Sequence, residues 1–331
     1  MTQPAILAEQ LGKSFGHKAV LSGLNLQVPA GLVLGLLGRN GAGKTTAVRI
    51  LATLLAPDTG RARVAGFDVA AQPQRVRARI GLTGQYAAVD DLLTARENLY
   101  LIGRLLGLRR GPARARSAAL LDQFGLSDVA AAKVATFSGG MRRRLDLAAS
   151  LTGTPQVLFL DEPTTGLDLA SRRQLWELIR ALAAGGTTVL LTTQYLEEAD
   201  QLAEQIAVID HGRIVAEGSS AQLKARVGSG TLHVRLLDGR QRSQAQAVLA
   251  GTLEGAVRLG ADPLTLSVSL ATPPDPADVG RLVGHAMTQL SEARMAVTEV
   301  TPGQPSLHEA FLALTGHPVS PAATDHEDTS S

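Results

Sequence analysis

Residues Gly38-Arg39-Asn40-Gly41-Ala42-Gly43-Lys44-Thr45 follow the spacing G-x-x-x-x-G-K-[ST], which suits a polyphosphate. Glycines allow several backbone N–H groups to converge at the tip of the following helix. Lys44 adds a point charge for terminal phosphates, and the Thr45 hydroxyl is a hard ligand for Mg²⁺. A second group, Asp161-Glu162, ends the apolar run at 157–160. Asp161 can hold Mg²⁺, directly or through water, while Glu162 can polarise the water that attacks a γ-phosphate. A third group is Phe137-Ser138-Gly139-Gly140-Met141, ahead of apolar residues at helical spacing. By itself it reads either as an ordinary serine cap or as a second anion-binding helix tip.

These residues need particular elements to bring them together. Leu32 to Leu37 form an apolar run that predicts a buried strand feeding the glycine-rich turn. Val48, Leu51 and Leu55 then predict a helix after it. Further strands are expected at 156–160, 187–193 and 206–209, with a helix starting from Ser171 as cap and carrying Leu175, Leu178, Ile179 and Leu182. Strands alternating with helices imply a mostly parallel sheet covered on both faces. Short strands at 6–9, 24–28 and 61–65 form an N-terminal group, and residues 87–153 are a mostly helical insert. His211-Gly212 predicts a hairpin turn between Ile209 and Ile214. Beyond about residue 226 the pattern changes. Alternation at Leu232, Val234, Leu236 and at Leu264, Leu266, Val268, Leu270, with helical spacing around Leu282 and Phe311, predicts a small α+β domain over 226–317, of β-α-β-β-α-β order. Residues 318–331 read as a disordered tail, rich in Pro, Ser, Ala, Asp and Glu.

With 331 residues there is room for two domains, and zero cysteines exclude disulfides, thiolate zinc sites and cysteine nucleophiles. A formal net charge of +2 gives no argument for nucleic acid. No apolar stretch reaches the roughly 18 residues of a membrane span. Residues 1–16 lack the basic segment and apolar core of a secretory leader, so neither direct membrane insertion nor secretion is expected. Arg142-Arg143-Arg144 and the arginines at 109–116 read as solvated faces. Glu197-Glu198 read as a first helical turn favoured by the dipole, and Trp176 as packing.

Together the three groups resemble an ABC transporter ATP-binding subunit. More narrowly, Ser138-Gly139-Gly140-Met141-Arg142-Arg143-Arg144-Leu145-Asp146, Thr192-Thr193-Gln194-Tyr195-Leu196-Glu197-Glu198-Ala199-Asp200 and the ending Phe311-Leu312-Ala313-Leu314-Thr315-Gly316-His317 resemble the daunorubicin/doxorubicin-resistance ATP-binding proteins. The resemblance implies a P-loop NTPase fold: a RecA-like parallel core, an antiparallel N-terminal subsheet, a helical subdomain within residues 1–225, and an accessory C-terminal domain. It implies ATP and Mg²⁺ as cofactors, held by Gly38, Asn40, Gly41, Ala42, Gly43, Lys44, Thr45 and Thr46, with Phe15 stacking on adenine. Gln85 falls at the Q-loop glutamine that contacts Mg²⁺, and Asp168 in the D-loop at a dimer seam.

The family arrangement further implies a homodimer in which Ser138, Gly139 and Gly140 of one copy close on ATP gripped by Lys44 of the other. An integral membrane permease would be a separate partner, placing the chain at the cytoplasmic face of the membrane. Segment 86–99, with Asp90 and Asp91, is either where the permease docks or a solvated loop. Two departures stand out. Met141 replaces the usual glutamine, and Gln194 occupies the switch position where most members carry histidine. A glutamine amide can donate to a γ-phosphate but does not titrate near neutral pH. The implied function is ATP-driven export of a hydrophobic drug. Open alternatives are export of a lipid or polysaccharide, a soluble ABC ATPase acting on ribosomes or DNA, and a regulatory nucleotide-binding module.

Overall fold

The computed structural model describes residues 3–84, 88–226, 231–253, 255–259, 262–270, 276–303 and 306–316. The chain divides into two compact units, Met1–Ser220 and Ala221–Ser331.

In the first unit the strands are β1 (Ile6–Phe15), β2 (Lys18–Val28), β3 (Val33–Leu37), β4 (Thr59–Val64), β5 (Phe67–Asp68), β6 (Ile80–Thr83), β7 (Val157–Asp161), β8 (Thr188–Thr193), β9 (Gln205–Asp210) and β10 (Arg213–Gly218). The helices are α1 (Lys44–Leu51), α2 (Pro73–Arg77), α3 (Ala95–Leu105), α4 (Arg110–Gln123), α5 (Gly139–Ser150), α6 (Leu169–Ala184), α7 (Leu196–Leu202) and, across the division, α8 (Ser220–Arg226). Strands β2-β1-β4-β5 form an antiparallel sheet, and a second sheet runs β10-β9-β3-β8-β7-β6. In that second sheet β6, β7, β8, β3 and β9 are parallel, and only β10 is antiparallel. Both residues of the β9–β10 turn, His211 (φ 45) and Gly212 (φ 75), have positive φ, as a tight hairpin requires.

Alternation along the parallel strands explains why their sequences are apolar throughout. Val157 and Phe159 of β7 and Leu190 of β8 enter one core with Val48, Ile50 and Leu51 of α1. Leu158, Leu160, Val189 and Leu191 enter the opposite core with Leu145 of α5 and Leu175, Trp176 and Ile179 of α6. Each strand therefore buries both faces. The helical insert is present as α3, α4 and α5; α3 begins with a capping box in which Thr94 and Glu97 bond each other's backbone N–H. One boundary needs correction. Helix α6 is capped by Asp168 instead of Ser171, because the Asp168 carboxylate accepts from Ser171 N–H at 2.8 Å.

The second unit contains β11 (Thr231–Leu236), α9 (Arg242–Thr252), β12 (Gly255–Leu259), β13 (Thr265–Leu270), α10 (Pro276–Glu292), β14 (Val297–Gly303) and α11 (Leu307–Thr315). The first six follow the expected β-α-β-β-α-β order, and the sheet runs β12-β13-β11-β14, all antiparallel. Its apolar face, Leu232, Val234, Leu236, Leu266 and Val268, packs with Leu249 of α9 and Leu290 of α10. Gly228-Ser229-Gly230, whose composition suits a linker between the units, and the tail at 318–331 lie outside the described residues.

Candidate functional site

Strand β3 is buried along its whole length and delivers the chain to Gly38, whose N–H donates to the Thr193 carbonyl at 3.3 Å. The loop thus starts pinned to the end of β8. Gly43 has φ 108, and a Cβ there would lie 2.9 Å from the Val20 carbonyl oxygen. No other residue fits the turn into α1. The first-turn N–H groups of α1 have no intrahelical acceptor and mark its positive end. Lys44 is 4% exposed; its Nζ donates to the carbonyls of Gly38 (2.8 Å) and Arg39 (3.2 Å) and stands 3.5 Å from Glu162 Oε1. Burial lowers the Lys44 pKa, and the Glu162 and Asp161 carboxylates oppose that shift.

Strand β7 brings the acidic pair to the same corner. Asp161 Oδ1 accepts from the hydroxyls of Thr192 (2.5 Å) and Thr45 (3.2 Å). Glu162 has a left-handed backbone, φ 49, and its N–H donates to both the carbonyl and the hydroxyl of Thr192 at 3.1 Å. Lys44, Thr45, Asp161 and Glu162, from two distant stretches of sequence, are therefore brought together. Thr46 is half-buried in the first turn of α1, Ala42 is buried, and Asn40 and Gly41 are exposed. Gln194 follows β8 directly and is half-buried. Phe15 ends β1 with its side chain 51% exposed and the Lys13 ammonium 5.8 Å from its ring centroid. Gln85 lies outside the described residues.

Helix α5 starts at the serine-glycine group. Ser138 Oγ caps it by accepting from Met141 N–H at 3.2 Å. A Cβ on Gly140 would fall 2.4 Å from Ser171 Oγ, so this glycine also lets α5 approach the start of α6. Asp168 accepts from the N–H and the hydroxyl of Ser171, which hold its pKa below the ordinary carboxylate range. A cleft of about 310 Å³ lies between Gly139 and Arg142 on one side and Glu162, Thr165 and Gly166 on the other.

One reading of charged residues is corrected, and others are extended. Arg142-Arg143-Arg144 do not form a solvated face. Arg142 pairs with Asp91 at 2.6 Å, Arg144 donates to the Phe124 carbonyl at 3.1 Å, and Arg143, 12% exposed, lies against the Glu162 turn. The ion pair also means that Asp91 is not simply a solvated loop acid. Glu198 lies in the first turn of α7, as expected, but its side chain is buried. It is 1% exposed, accepts from Trp176 Nε1 at 3.3 Å, and burial raises its pKa against the hydroxyls of Thr193 and Thr164 and the Trp176 N–H. Trp176 thus packs and also donates. A visible clue for Arg143 was Asp146 one helical turn later, beside otherwise apolar residues.

Asp161 and Thr45 supply hard oxygen donors 3.2 Å apart, which fits Mg²⁺. Among the described residues no three His, Cys, Asp or Glu side chains converge on a metal site. Gln85, the other expected contact, lies outside the described residues, and phosphate and water oxygens would complete the shell, as Mg²⁺ favours.

Residues 21–165 match the ABC transporter family. The daunorubicin/doxorubicin resistance ATP-binding protein of Streptomyces peucetius is 52% identical over 98% of this chain and 97% of its own length. The Nod factor export ATP-binding protein I of Paraburkholderia xenovorans is 43% identical over 71% of this chain and 77% of its own. The solved structure of an ATP-binding subunit of an ABC transporter superposes with a TM-score of 0.61 at 26% identity, over 67% of this chain and 92% of that one. The chain belongs to the ABC transporter family, as one of its ATP-binding proteins of the daunorubicin/doxorubicin-resistance type.

Proposed function

We propose that this protein hydrolyses MgATP to drive export of a hydrophobic drug through a separate membrane permease, as a homodimer at the cytoplasmic face of the membrane. The observation that carries the reading is the Lys44–Glu162 contact of 3.5 Å beside the Thr45–Asp161 pair. The ammonium is folded back onto the loop carbonyls and neutralises the carboxylate. A triphosphate seated on the α1 N-terminus competes for Lys44 and leaves Glu162 free to accept a proton from water. When bound, Mg²⁺ neutralises phosphate charge and orients the β and γ groups. Thr45 and Asp161 would hold it, Phe15 offers an exposed ring for the base, and Gln194 donates its amide to the γ-phosphate.

No helix among the described residues is long and apolar enough to cross a membrane. A transport role therefore assigns the span to another chain. Serine-capped helix α5 and Asp168 would face the nucleotide of a second copy, which makes ATP part of the dimer interface. A hydrophobic drug is favoured over a lipid because the drug-resistance relative matches this chain through the second unit as well, while the Nod factor relative matches a smaller share. In inside-out vesicles holding this protein with a co-expressed permease, ATP should drive uptake of a fluorescent anthracycline. Lys44→Ala should reduce that uptake at least about 100-fold. Uptake of a labelled lipid alone would favour the second cargo; equal uptake by parent and variant would contradict the reading.

A further inference from the structure

Arg143 stands on the second turn of α5, one turn beyond the serine-glycine group, and its guanidinium is spent almost wholly on main-chain carbonyls near Glu162. Nε donates to Pro163 O at 2.7 Å, and Nη2 donates to Asp161 O at 3.3 Å and Glu162 O at 3.2 Å. Nη1 donates to Gly84 O at 2.7 Å and faces Asp146 Oδ2 at 3.5 Å. Asp146, 2% exposed, uses its other oxygen to accept from Ala88 N–H at 2.7 Å. One buried side-chain pair thus ties α5 to the acidic turn and to Gly84 and Ala88 at the end of β6 and beyond.

Three consecutive carbonyls at 161–163 pointing at one guanidinium fix the direction of that turn. Glu162 lies within it in a left-handed conformation that a non-glycine residue keeps only when its surroundings over-determine it. On one side Thr192 takes the Glu162 N–H; on the other Arg143 takes its carbonyl. The planar guanidinium offers five donors in a fixed fork, whereas an ammonium is a compact point charge that cannot span these acceptors. We propose that Arg143, held by Asp146, is a positioning residue for ATP hydrolysis. It locks the main chain of Glu162 so that its carboxylate faces Lys44 and the attacking water. This deepens the proposed ATPase role of the same site and rests on it. Arg143 has no role in gripping the triphosphate, since its donors are directed at the protein's own backbone.

The test uses the full chain and compares parent, R143K, R143A and D146N in steady-state MgATP hydrolysis, with binding of a non-hydrolysable MgATP analogue measured alongside. R143K should lose at least about ten-fold in kcat while KM and analogue affinity stay within about two-fold. R143A should lose more, and D146N less. Because Arg143 acts through Glu162, adding R143K to E162Q should cost less than about two-fold further. Turnover by R143K within about two-fold of the parent overturns the inference. So does an equal ten-fold loss in both backgrounds, or a matched loss of analogue affinity. If R143A does not fold, R143K decides, since it keeps the charge and most of the volume. A parent that binds the analogue but shows no turnover refutes the ATPase reading itself, whereas an active parent with an equally active R143K refutes only the role of Arg143.

Discussion

Lys44 and Glu162 stand 3.5 Å apart with little access to water, and the carboxylate opposes the burial that works against the Lys44 ammonium. The identity of both was legible in the sequence, because a fixed spacing carries phosphate chemistry and an apolar strand ending in two acids has few other uses. Arg143 was not legible. Its three-arginine run looks like a polar face, and only the fold shows that the middle residue turns inward while its neighbours find Asp91 and the Phe124 carbonyl. Gln194 departs from the usual histidine, and its amide can donate without titrating. Gln194→Ala should lower kcat at least about ten-fold with nucleotide affinity preserved. Gln194→His should introduce a pH dependence of kcat near the imidazole range, about pH 6.5, that the parent lacks. Steady-state hydrolysis over a pH series reads both, and wild-type turnover by the alanine variant would remove Gln194 from the site.

Among the elements, apolar periodicity revealed β3, β7 and β8 because these strands bury both faces. It revealed less of the ends. Helix α6 begins at Leu169 because Asp168 is a better-placed cap than Ser171, and two capping residues three positions apart cannot be ranked from sequence alone. The first-turn acids of α7 were legible, but the burial of Glu198 against Trp176 depends on packing that the sequence does not spell. Glu198, with its pKa raised by burial, binds more protons folded than unfolded between the ordinary glutamate pKa and the raised one. Its ionisation therefore costs stability as pH climbs through that window. Glu198→Gln keeps an acceptor for Trp176 and removes the charge. The variant should melt at the parent's temperature near about pH 4.5 and at a higher one near about pH 7.5. Thermal unfolding at the two pH values measures this, and a variant that melts lower at neutral pH would show that the charged form stabilises the fold.

At the scale of the whole molecule, the chain carries two units with separate cores, and the change from mixed strand-and-helix periodicity to clean alternation near residue 230 marks the second one in the sequence. That unit's core is spelled by alternating Leu and Val, which is why its β-α-β-β-α-β order was readable; no cluster of chemical groups in its sequence says what it does. The proposed association of two copies is written less directly, since it would depend on α5 and the Asp168 turn offering donors to a nucleotide that the other copy grips. The most direct test is light scattering of Glu162→Gln with MgATP. With the base removed, hydrolysis should become very slow while binding persists, and the bound triphosphate should hold two copies together. The mass should double in MgATP and return to that of one chain in MgADP. A variant that stays monomeric in saturating MgATP, alone and with its permease, would contradict the account.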